Sequence, residues 1–286
     1  MAATASVAGP LSERLAGALA GRVRRLVGSG ELDLARPPGD PGLFAVGSPA
    51  WRVHGDFSAM MIGGIAALLL QMLHPLALAG VWDFSDFRRD RLGRLRRTAQ
   101  FIAATTYGST ATAIAAIEQV RRIHDRVHGA LPDGTPYDAN DPALLTWVHV
   151  AEAHCFLAAH LAYREPGMSA ADQDRYIDES AEVAIRLGAA DVPRSRAAVR
   201  RYFDQVRPDL RYDHRTRDVA DALLARGDDP ASSAALSVAS AAAFTLLPPW
   251  AAAMHGRAAS PLLQPAIRAG AGSLGALLRW SLKTTR

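Results

Sequence analysis

The stretch FSAMMIGGIAALLLQMLHPLALAGVW, from Phe57 to Trp82, contains no Lys, Arg, Asp or Glu. A run of this length and composition has two outlets, a buried helical core or a bilayer, since water disfavours it as a surface helix or loop. Its interruptions favour the core. Gln71, His74 and Pro75 fall in its second half, a Gly-Gly pair sits at 63–64, and the positive flank typical of a membrane span is missing. A second apolar segment, AALSVASAAAFTLLPPWAAAM (234–254), is broken by Pro248-Pro249. Buried helices of a globular protein account for both segments. An integral membrane protein is therefore not expected, while peripheral association with a membrane stays open.

The rest of the chain fits that reading. Its 286 residues, 49% of them hydrophobic, suffice for one sizeable core. Strand-type runs of Val, Ile, Thr and Tyr are scarce, and helical patterning covers nearly everything after residue 55. It predicts helices over 11–27, 57–80, 88–106, 109–128, 141–162, 169–187, 193–205, 214–226, 231–247 and 259–280. Asp141-Pro142 places proline at a first helical position, and Ser169 caps the helix that follows it. LPDGTPYDANDP (131–142) reads as a loop. The expected fold is all-α, a single globular multi-helix bundle. Residues 1–39 form an N-terminal amphipathic helix and an irregular Gly/Pro-rich arm, and residues 40–286 form the domain. The N-terminus lacks a charged n-region followed by an apolar h-region, so the expected location is cytoplasmic.

Charge and cysteine content exclude several functions. Lys and Arg total 32 against 28 Asp and Glu, and Lys283 is the sole lysine. The arginines are interleaved with acids, as in RRYFDQVRPDLRYDHRTRD (200–218), so no basic stripe for nucleic acid is formed. Cys155 is alone, which rules out an intrachain disulfide, and no CxxCH motif offers covalent haem attachment.

VRRIHDRVHG (120–129) places His124 and His128 four residues apart, which on a helix puts both rings on one face. The pair resembles the zinc motif HExxH, but Asp125 is one methylene shorter than the glutamate that chemistry needs, and no third ligand follows. A di-iron carboxylate bundle needs Glu-x-x-His from two helices. The nearest approach, Glu152-Ala-His154, has the wrong spacing. The chemistry left for histidines on apolar helices is haem b, with one axial imidazole and arginines for the propionates. His74, His124, His128, His149, His154 and His160 are the candidates, and each alone is as readily a structural histidine.

Ordered motifs narrow the choice. WRVHGDFSAMMIGG (51–64), QMLHPLALAGV (71–81), RLRRTAQFIAATTYGS (94–109), VRRIHDRVHG (120–129), PDGTPYDANDPALLTWVH (132–149) and FTLLPPW (244–250) follow one another. Together they resemble the oxygenase MpaB family, which includes the catalytic domain of rubber oxygenases (latex-clearing proteins), over roughly residues 40–280. The resemblance implies an all-α haem b protein that uses dioxygen on an apolar substrate, isoprenoid or lipid-like.

It also implies roles for residues. His124 takes the place of the proximal iron ligand, and His128 stands behind it. Arg94 and Thr98 match the Arg-xxx-Thr pair that lines the haem pocket and would carry the dioxygen chemistry. Arg97 replaces a lysine that can cap the iron in some relatives; arginine stays protonated and cannot do so readily. His149 in TWVH, together with Gln71 and His74, would border the cofactor. His74-Pro75 has an alternative role, ending the buried helix with the imidazole bonded to a freed carbonyl. Tyr176 and Glu179 match family positions with structural roles. One departure stands out: PLALAGVWDFSDF (75–87) has no glutamate where rubber oxygenases keep a proton-accepting one, and offers only Asp83 and Asp86. The competing reading is a non-catalytic helical protein, binding a hydrophobic ligand or sitting at a membrane surface.

Overall fold

Polar side chains with free oxygens mark where the helices begin. In the computed structural model, which describes residues 17, 21, 34–85, 91–225, 230–257 and 262–284, Ser48, Asp56, Ser109, Asp141, Ser169, Ser195 and Asp213 each accept hydrogen bonds from first-turn amides. These caps start α1 (Pro49–His54), α2 (Phe57–Gln71), α5 (Thr110–His124), α6 (Pro142–Tyr163), α7 (Ala170–Leu187), α8 (Arg196–Val206) and α9 (His214–Leu223). The other helices are α3 (Pro75–Phe84), α4 (Arg91–Tyr107), α10 (Pro230–Phe244), α11 (Pro249–Met254) and α12 (Gln264–Thr284). The fold is all-α apart from one two-stranded ribbon. The helix expected over 11–27 and Asp86 lie outside the described residues, except that positions 17 and 21 are helical.

The single helix expected over 57–80 is corrected to two, α2 and α3, which meet at 108° on either side of a break at residues 72–74. Among the described residues no single helix is long and apolar enough to cross a membrane. Instead α2 runs through the core against α6, and Ile65, Leu69, Leu70, Trp147, Ala151 and Cys155 are buried between and around them. The two backbones come close at Gly63, where a Cβ would stand 2.9 Å from the Phe156 ring and 3.1 Å from the Cys155 carbonyl. Helices α10 and α12 pack on α2, α7 lies along α6, and α1 joins α7 to α4. Pro248 and Pro249 separate α10 from α11, as the sequence predicts.

The break between α2 and α3 frees carbonyls, and distant side chains take them. Trp147 Nε1 donates to Gln71 O (3.1 Å), the Arg211 amide to Leu73 O (2.8 Å), and His255 Nε2 to Leu69 O (3.0 Å). His74 stands at the N-cap of α3 but makes no capping bond, and its Nδ1 is buried without a partner. The expected imidazole–carbonyl bond is therefore corrected.

A second correction concerns the helix over 109–128. α5 stops at His124, and His128 begins β1 (His128–Ala130), which pairs antiparallel with β2 (Pro136–Asp138). Tyr137 on β2 hydrogen-bonds Asp83 at the end of α3, which pulls the chain out of the helical path. Gly129 permits the close pairing, because a Cβ there would meet the Tyr137 ring and hydroxyl. His124 and His128 thus do not share a helical face, and 131–142 is partly strand.

Candidate active site

The α4 side chains Arg94, Thr98, Phe101, Ile102 and Thr105 recur every three or four residues and form one stripe. Two partly open pockets lie along it. The first, about 30 Å³, is bordered by Arg94 and Leu95 with Leu68 and Met72 of α2, Val81 of α3, and Val219 and Leu223 of α9. Among the described residues Arg94 is its one charged group. The second, about 50 Å³, is bordered by Phe101, Ile102 and Thr105 with His54 of α1, His149, Glu152 and Phe156 of α6, and Tyr176 of α7.

Burial dominates the electrostatics here. Arg94 donates to Ser85 Oγ at 2.8 Å, and burial, then repulsion from Arg97, hold its pKa below the ordinary arginine value against the pull of Glu152. Thr98 is half-buried, and its hydroxyl donates to the Arg94 carbonyl at 3.2 Å. Gln71, at the end of α2, donates its amide to Val148 O at 3.1 Å and hydrogen-bonds the Glu152 carboxyl. Burial pushes Glu152 up to about 7; the Gln71 bond and the Arg94 charge oppose it. One turn earlier on the same face of α6, burial drops His149 to about 4, and its Nε2 is buried with no hydrogen-bond partner. His54, lowered to about 3 by burial and then by His160 and His149, bridges Thr106 Oγ1 (2.8 Å) and Tyr176 OH (3.2 Å).

His124 enters through the hairpin of α4 and α5. Arg94 lies thirteen residues before the end of α4 and His124 fourteen after the start of α5, so each stands about 20 Å from the turn at about 1.5 Å per residue. Along their own helices the two lie at similar distances from the turn. His124 is half-buried, its Nδ1 is buried and unpartnered, and burial lowers its pKa against the pull of Asp125 and Asp138.

Of the expected residues the fold puts Arg94 at the first pocket and His149 at the second; Thr98 bonds the Arg94 carbonyl, Gln71 bonds Glu152 at the second pocket's edge, and His124 lies on the next helix. The fold does not bring the remaining expected residues into the pockets. His128 is exposed on β1, Arg97 is exposed on the outer side of α4, and His74 packs near Trp147, with ring centroids 5.9 Å apart. His154 faces away from Glu152 and packs edge-on against Phe203, while His160 bonds Glu165. Tyr176 is fully buried, and Glu179 accepts the Ala50 amide at the start of α1, as structural roles require. Asp83 is engaged by Tyr137.

Sequence reasoning missed His54 and Glu152. The signal for Glu152 is present in PALLTWVHVAEAHCFLAAHLAY, where it is the single acid and no Lys or Arg accompanies it. Among the described residues no three or more His, Cys, Asp or Glu side chains converge as a protein-only metal site. An iron already held by four porphyrin nitrogens asks for less, a single imidazole.

No curated protein and no solved structure gives a significant match to the chain. The family model described as "ER-bound oxygenase mpaB/B'/Rubber oxygenase, catalytic domain" matches residues 51–280 and so takes in every pocket residue from His54 to Leu223. The chain belongs to this MpaB/rubber oxygenase family and carries its oxygenase-type catalytic domain.

Proposed function

We propose that the protein is a haem b-dependent oxygenase that acts with dioxygen on an apolar substrate of isoprenoid or lipid-like character. The observation that carries this reading is the half-buried imidazole of His124, with one ring nitrogen unpartnered, on the helix that follows α4 and its half-buried Arg94. The donor set fits haem b. His124 would offer a nitrogen to the iron, Arg94 would offer positive charge for a propionate, and the walls of the pocket that Arg94 borders are apolar. Bound there, the haem would supply the redox-active iron at which dioxygen is activated.

The protein's own groups do the rest. Burial keeps His124 neutral, the form that ligates metal. Arg94 keeps its charge and directs donors towards developing negative charge in a dry site, where such donors act most strongly. Thr98 adds a hydroxyl one turn away, and Leu68, Met72, Val81 and Leu95 exclude water and select an apolar substrate.

The test is an absorption spectrum of protein purified from haem-supplemented cells, before and after dithionite. A Soret band that shifts on reduction is expected. Its absence overturns the proposal and leaves a helical binding protein for a hydrophobic ligand.

A further inference from the structure

We infer that the outer face of α12, with the turn leading into it, is a docking surface for an anionic lipid bilayer, on which the protein rests without spanning it. The rotation of this helix is fixed by its inner side. Gly275 sits against α2, where a Cβ would stand 2.7 Å from Ser58 Oγ, and Ala271 is buried. That side packs on α2, α6 and α10. The other side is left uncovered: Ala266, Ala269, Ser273 and Leu277 recur every three or four residues, and all four are exposed.

A helix on a soluble surface ordinarily puts charge on such a face. The outer side of α7 does so, with Arg175, Asp178 and Arg186 exposed. The uncovered stripe of α12 carries no charge. Leu262 and Leu263, in the turn before it, are exposed to 89% and 59%. Leu263 and Leu277 are fourteen residues apart, so the exposed apolar groups extend for about 20 Å along the axis. An uncovered apolar line of this kind marks an interaction surface. The inner face of α12 is committed to the core, and among the described residues no single helix is long and apolar enough to cross a membrane. The arrangement is that of a helix lying in the plane of an interface.

Charge selects the occupant. Residues 230–286 contain no Asp or Glu and five cations, Arg257, Arg268, Arg279, Lys283 and Arg286. Asp221 holds Arg257 at 2.8 Å and Asp56 holds Arg279 at 3.0 Å. Arg268 is exposed on α12, and Lys283 and Arg286 add positive charge late in the sequence. Two copies meeting through this face would bring like charges together with no acid in the segment to offset them, which disfavours a dimer. Lipid phosphates supply the missing negative charge, and the acyl layer takes the leucines. No residue of α12 borders either pocket along α4, so the surface stands whether or not the protein binds haem.

Flotation of the purified full chain with lipid vesicles tests this. Wild type should float with vesicles of phosphatidylcholine mixed with phosphatidylglycerol, and about tenfold less with phosphatidylcholine alone or in high salt. The double variant Leu262→Ser, Leu263→Ser and the single variant Leu277→Glu should each weaken binding on the order of tenfold or more, with unchanged circular dichroism. Arg268→Glu should weaken binding to the anionic vesicles alone. Ile185→Ser removes a side chain of α7 that is 40% exposed, against 41% for Leu277, and should leave flotation unchanged. No flotation with anionic vesicles, equal flotation with neutral ones, or full binding in the leucine variants would overturn the inference. A concentration-dependent dimer in analytical ultracentrifugation that Leu277→Glu abolishes would also overturn it, because the face would then belong to a second copy.

Discussion

Acid should unfold this protein steeply, because three buried imidazoles cannot charge without leaving the fold. His54, His149 and His154 are lowered by burial to about 3, about 4 and about 4. An unfolded imidazole titrates at about 6.5, so below that pH the unfolded chain binds protons that the folded one refuses. The stability these residues contribute is intact above about pH 6.5 and is lost as the pH falls towards 4. Glu152, raised to about 7, works in the opposite sense: between about 4.5 and 7 the folded state holds one extra proton. At about pH 5.5 the balance is about two protons in favour of the unfolded state, a slope of about 2.5 kcal/mol per pH unit. Integrated from about pH 6.5 to about 5, the loss is about 3 kcal/mol, a large part of a typical stability of about 5–15 kcal/mol. His74, His124, His160 and His255 are also lowered by burial and add in the same direction. Urea unfolding followed by far-ultraviolet circular dichroism across this range measures the slope. His154→Leu, which removes one titrating ring from the Phe203 contact, should flatten it by about 1.2 kcal/mol per pH unit near pH 5.5. A flat profile, or an unchanged slope in His154→Leu, would refute the reasoning.

Three other perturbations follow from the packing. Gly63→Ala drives a methyl into Phe156 and the Cys155 carbonyl at the α2–α6 crossing and should cost about 1–3 kcal/mol in urea unfolding. Asp56→Ala removes the α2 cap and the partner of Arg279 on α12 at once, for a loss of about 2–4 kcal/mol by the same assay. Thr98→Ala gives up only a hydroxyl bonded to the Arg94 carbonyl, so stability should fall by no more than about 1 kcal/mol, while dioxygen uptake with an isoprenoid probe falls on the order of tenfold to a hundredfold.

What could be read from the chain follows from how local each cause is. Asp141-Pro142 and Ser169 announce α6 and α7 because a cap acts on the next three residues. His74-Pro75 announces the end of α2 for the same reason. The groups that satisfy the freed carbonyls, Trp147, Arg211 and His255, come from far along the chain, and no local pattern points to them. The early end of α5 is similar. Residues 125–128 continue a helical pattern, and only the pairing with β2 and the Tyr137–Asp83 bond draw His128 away. The shared face of Arg94 and Thr98 on α4 is legible from their spacing. Glu152 is visible as a lone acid, yet its meaning depends on Gln71 and Arg94 from two other helices.

The central claim is that His124 anchors a haem b, and the pyridine haemochrome assay measures it directly. Wild type, His124→Ala and His128→Ala should be purified in parallel from haem-supplemented cells, with circular dichroism confirming that each is folded. The account predicts about one haem b per chain in wild type, little or none in His124→Ala, and near wild-type content in His128→Ala, whose ring is exposed on β1. Full haem with an unchanged spectrum in His124→Ala, or no haem in folded wild type, would contradict it.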